Sequence, residues 1–73
     1  ELTLYPNPAD DRLTIEAEGI ERVFMTDMQG MPVAAFNSNT DRLELQVESY
    51  PVGIYLVHVY TQNGKVIGKW VKR

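Results

Sequence analysis

Gly53-Ile54-Tyr55-Leu56-Val57-His58-Val59-Tyr60, followed by Thr61-Gln62-Asn63-Gly64 and then Lys65-Val66-Ile67-Gly68-Lys69-Trp70-Val71-Lys72, alternates as the two arms of a β-hairpin do. The first arm is dense in β-branched and aromatic residues, which fit a pleated, half-buried surface. With a period of two, Tyr55, Val57 and Val59 point one way and Ile54, Leu56, His58 and Tyr60 the other. Both sets are largely apolar, which predicts a central strand covered on most of both faces. Asn63-Gly64 predicts a two-residue type I′ turn, because that turn needs positive φ at both central positions. The second arm sets Val66, Ile67, Trp70 and Val71 among lysines, a composition that suits an exposed edge strand that must not pair with other chains.

The totals bound what surrounds this hairpin. Seventy-three residues allow one domain, residues 1–73, with a small core and marginal stability. There is no cysteine, hence no disulfide framework and no thiolate metal site. A net charge of −3 argues against a nucleic-acid binder, which would show a basic face. No run approaches the roughly 18 apolar residues of a membrane span. No basic start followed by an apolar run marks a signal peptide. Glu1 leads straight into Leu2-Thr3-Leu4-Tyr5, so the expectation is a piece cut from the end of a longer protein.

Ahead of the hairpin, Leu2 to Tyr5 reads as a short strand that Pro6-Asn7-Pro8 ends; each proline fixes its own φ and restrains the residue before it. Arg12 to Ala17 alternates, with Leu13 and Ile15 on one face, and Glu18-Gly19 breaks it. Ile20 to Thr26 resumes, Val23 and Met25 on one face, Arg22 and Phe24 on the other. Asp27-Met28-Gln29-Gly30 has the Asp and Gly positions of a type I turn. Met31 to Phe36 is a return strand, and Asn37 to Asp41 a polar loop. Arg42 to Val47 alternates again, Leu43, Leu45 and Val47 inward. About seven short strands with closely spaced turns predict an all-β fold, a compact immunoglobulin-like two-sheet sandwich.

Catalytic chemistry is thin. His58, the one histidine, sits mid-strand with no positioned partner for a base and too few companions for a metal. Asn7, Asp10 and Asp11 share a tight turn, but calcium wants six to eight oxygens and no spaced acidic loop supplies them. Tyr50, Tyr55, Tyr60 and Trp70 could line a sugar-binding platform; the plainer expectation is Tyr55 in the core and the others capping edges. No enzyme activity and no cofactor are expected.

With these residues in view, the chain resembles the type A C-terminal sorting domain of type IX secretion cargo from Bacteroidota. The likeness rests on Leu4-Tyr5-Pro6-Asn7-Pro8 with Arg12-Leu13-Thr14-Ile15, on Val23 to Gly30 ending in an Asp-x-x-Gly turn, and on Gly53 to Val59 with Asn63-Gly64-Lys65. It covers essentially the whole chain. Met31-Pro32 departs from the small residues the family often carries after that turn, and Gly68 stands where a polar residue is usual. The resemblance implies a non-catalytic secretion address. It would be presented in the periplasm to the type IX outer-membrane translocon and received by a shuttle barrel. A cysteine-peptidase sortase would then remove it at the cell surface, cutting near or upstream of Glu1. The candidate recognition residues are Pro6, Asn7 and Pro8 at the corner, Gly53 and Tyr55 at the start of the hairpin, and Lys69, Lys72 and Arg73 in the basic tail. The rival expectation is a free-standing adhesion or carbohydrate-binding module. Short strands at both ends also raise the expectation of a dimer of the isolated domain through terminal strands, opposed by the lysines of the last one.

Overall fold

The computed structural model describes residues 1–73 and contains five strands: β1 (Thr3–Tyr5), β2 (Arg12–Asp27), β3 (Pro32–Gln46), β4 (Gly53–Thr61) and β5 (Gly64–Lys72). All belong to one antiparallel sheet in which β2 is the spine. β3 pairs with β2 from Arg12 to Thr26 and takes up one edge. The other edge is divided: β1 pairs at Thr14 to Glu16 and β4 from Ile20 to Asp27. β5 pairs with β4 along its whole length, so the hairpin expected over Gly53 to Lys72 is present.

The two-sheet immunoglobulin-like sandwich is overturned, because two expected breaks are continuous strand. At Glu18-Gly19 the chain does not stop. Gly19 adopts a φ of 68°, the left-handed region a bulge can place a glycine in, and the β2 register shifts on either side of Ile20. The bulge is tied on both flanks: Gly19 N–H donates to Asp41 Oδ1 at 2.8 Å, and Gly19 C=O accepts from Gln62 N–H at 3.1 Å. The polar stretch Asn37 to Asp41 is likewise strand, with Asn37 opposite Arg22 and Thr40 opposite Ile20. On an edge strand the backbone finds its partners on one side while polar side chains stay wet, so polarity there does not forbid pairing. Bulges bend a sheet and raise its twist. Bent in this way, the long β2–β3 ribbon and the β4–β5 hairpin form one curled half-barrel, and a curled sheet fills its own concave side.

That concave side is the core. Leu13, Ile15, Ile20, Val23, Met25, Val47, Val57, Val59 and Trp70 are fully buried, and Leu45 and Tyr55 nearly so. Leu43 is half-buried against them, whereas Glu44 faces solvent, so the expected alternation of Arg42 to Val47 holds. In the β2–β3 turn Gly30 N–H donates to Asp27 C=O at 3.1 Å, and Asp27 Oδ1 accepts from Gln29 N–H and Met31 N–H at 2.9 Å each. The expected type I turn is there. The expected type I′ turn is not: Thr61 pairs with Gly64, which leaves Gln62 and Asn63 as the turn, and no residue other than glycine has positive φ. Gly64, at φ 120°, closes the turn as a bulge residue instead of forming its centre. β4 is covered on one face only, contrary to the expectation for both.

Candidate functional site

Pro6-Asn7-Pro8 carries the chain out of β1 and across to β5; the peptide bonds Tyr5–Pro6 and Asn7–Pro8 are both cis. This corner sets Asn7 beside the outer edge of β5. Its Nδ2 donates to Lys69 C=O at 3.1 Å, and its Oδ1 accepts from Val71 N–H at 2.9 Å. A side-chain amide has one donor and one acceptor side, so here it does what a neighbouring strand's peptide groups would do. Ala9 continues the pairing in backbone form: its N–H donates to Val71 C=O at 2.8 Å, and its C=O accepts from Arg73 N–H at 2.9 Å. The result is a short parallel bridge, Ala9 to Lys72, with Ala9 fully buried. Asp11 C=O accepts from Val47 N–H at 2.8 Å and fastens the far side of the corner to the end of β3.

The tail residues take three different roles. Arg73 forms a two-pronged pair with Asp10, Nε to Oδ1 and Nη2 to Oδ2, both at 3.1 Å. Those hydrogen bonds hold the Asp10 carboxyl below the usual carboxylate range and push the Arg73 guanidinium up. Both side chains are largely in water, so the pair adds little stability. Lys72 is buried, and its Nζ donates to Arg73 C=O at 2.9 Å. Lys69 points to solvent with no carboxylate partner.

Gly53 lies opposite Lys72 in the β4–β5 register, so the start of the hairpin, the tail and the corner stand side by side. Tyr55 lies beneath them. Its ring stacks on Trp70 with centroids 5.0 Å apart and planes 22° apart, Tyr50 meets it edge-on at 5.8 Å, and its hydroxyl donates to Pro51 C=O. Burial pushes the Tyr55 hydroxyl pKa up. Trp70 is wholly buried, not an edge cap, and its Nε1 has no hydrogen-bond partner. With Tyr55 and Trp70 inside, the aromatics do not form a sugar-binding platform. Gly68 makes room for β1: a Cβ there would sit 2.8 Å from both Leu2 Cδ2 and Leu4 Cδ1.

All eight sequence candidates therefore lie in or next to one assembly, the clasp of the corner on β5. Asp10, weighed only as a calcium ligand, is instead the partner of Arg73. Nothing local to Asp10 indicates a partner so far along the chain. Asn7 is committed to backbone, and no three of the His, Asp and Glu side chains converge as metal ligands. His58 lies half-buried on the other face of β4, its Nε2 3.4 Å from Thr26 Oγ1 and its ring tilted against Phe24 at 5.8 Å.

Residues 3–73 match the family model described as the secretion system C-terminal sorting domain, and the chain belongs to that family. No curated protein matches it. The domain is a non-catalytic sorting signal of type IX secretion, a part of secreted and cell-surface proteins.

Proposed function

We propose that residues 1–73 are the folded terminal address of a longer exported protein. In the periplasm the address is handed to the type IX outer-membrane translocon. The shuttle barrel receives it, and the cysteine-peptidase sortase cuts it off at the cell surface, near or upstream of Glu1. The observation that carries this reading is the clasp: Asn7 and Ala9 bind β5 so that corner and tail form one continuous displayed edge. Of the candidate recognition residues, Pro6, Asn7, Pro8, Lys69 and Arg73 are exposed; Asn7 commits its amide to β5, which leaves Pro6, Pro8, Lys69 and Arg73 for contact. Asn7, Tyr55 and Lys72 act by holding that edge in shape, and Gly53 by starting the strand beside it. Pairing of two isolated domains through terminal strands would use the part of the β5 edge that the corner leaves bare, Gly64 to Ile67. Sedimentation at several concentrations tests that pairing.

Residues 1–73 fused behind a periplasm-directed reporter should carry it to the surface of a host with a type IX apparatus. Deleting Trp70 to Arg73 should abolish export, because it removes both the core tryptophan and the strand the corner grips. An intact fusion that stays in the periplasm of a competent host would overturn the assignment.

A further inference from the structure

The outer face of the β4–β5 hairpin is apolar and uncovered. Ile54 and Ile67 are 43% and 54% exposed, and Phe24, Leu56 and Val71 extend the patch at half-buried positions. The unpaired cations of the chain gather around it, and carboxylates reach only its ends: Asp27, which lines one depression with Ile54, and Glu21, next to Arg22 in the chain. Of the 7 Lys and Arg residues, Arg12, Arg42 and Arg73 have carboxylate partners and Lys72 is buried. The remaining three, Arg22, Lys65 and Lys69, have none, and all three stand on this face. Arg22 and Lys65 flank Tyr60 in register, and Lys69 lies opposite Leu56. Lys65 Nζ sits 5.4 Å from the Tyr60 ring centroid. No Asp or Glu occurs from Pro51 to Arg73, although the chain as a whole carries a net charge of −3. An exposed apolar patch of this kind, rimmed by charge, marks an interaction site.

We propose that this face docks onto a protein surface that is apolar at its centre and carboxylate-bearing at its rim, the receptor that reads the address. The inference rests on the sorting reading and names the surface that is read. Charge complementarity sets the partner's sign. A second copy meeting face to face would set cations against cations.

The test uses the reporter fusion with two changes to this face. One is Arg22→Glu, Lys65→Glu and Lys69→Glu together; the other is Ile54→Thr with Ile67→Thr, which leaves net charge alone and keeps the β-branched shape. Both should lower surface reporter by about tenfold or more and leave it in the periplasm, with the melting temperature of the purified domain unchanged. Lys69→Glu alone, at a side chain outside the core, carries the same test where the multiple changes soften the fold. Glu18→Lys with Glu48→Lys, on exposed positions elsewhere, should export normally. If the parent fusion exports and the face variants export equally well, the docking face is wrong while the sorting reading stands; if the parent itself fails, the sorting reading falls. Binding of the purified domain to phosphatidylglycerol vesicles that is lost on charge reversal would overturn the protein partner in favour of lipid. Concentration-dependent self-association abolished by Ile67→Thr would overturn it in favour of a second copy.

Discussion

On the inner face of β4, Tyr55, Val57 and Val59 are shut away from water by Trp70, Val23 and Met25; on the outer face Ile54 and Tyr60 remain 43% and 38% exposed. The two sets of side chains alternate along one strand and differ little in hydrophobicity. What separates them is the curl of the sheet, which wraps β2 and β3 around one face and leaves the other unroofed. A strand's own residues state how apolar each face is; only the rest of the chain decides which face is covered.

The sharpest way to break this contrast is Trp70→Ala on the sealed side. Truncating a large buried aromatic costs about 3–5 kcal/mol, comparable with the whole stability of a domain of this size. The variant should show no cooperative thermal transition by circular dichroism. A variant that still melts near the parent would mean that the concave face is not the core.

The clasp comes next. Asn7→Ala deletes both hydrogen bonds to the β5 edge and should cost about 1–2 kcal/mol in urea unfolding. Asn7→Asp should do no better, since its second oxygen faces Lys69 C=O, an acceptor against an acceptor. On the open side, Ile67→Thr should change stability by no more than about 0.5 kcal/mol. A loss as large as that of a core truncation would show that the outer face is covered after all.

The smallest effect is in acid. The Arg73 hydrogen bonds depress the Asp10 carboxyl in the folded state, so their contribution is present above its unfolded value, about 3.9, and is lost as pH falls through the lower folded value. Thermal melts should place the parent slightly above Asp10→Asn at neutral pH, and the two should converge at the acid end. A gap that persists there would mean that the pair contributes through something other than its charge.

Periodicity made the hairpin arms, the Leu13/Ile15 and Leu43/Leu45/Val47 faces and the Asp27–Gly30 turn legible, because each is a local pattern. It did not separate a bulge from a break. Gly19 reads the same either way, and its hydrogen bonds to Asp41 and Gln62 come from distant residues. Asn37 to Asp41 has loop composition, yet it is an edge that β2 pairs with. The Asn63-Gly64 signal was read one residue out of register, since glycine serves a I′ turn and a closing bulge alike. The corner and the tail were each legible as candidates, but not their union: Asn7 and Val71 lie 64 residues apart, and no local pattern records such a contact.

That separation has a bearing on synthesis. When the corner leaves the ribosome, the backbone groups its amide will bind, on Lys69 and Val71, are still to be polymerised. The closing contact is among the longest loops the chain can make, and non-local contacts of this kind form late and slowly. A nascent chain stopped short of Val71 leaves Asn7 without its acceptor-side partner, so closure of the domain doubles as a record that translation ran through it.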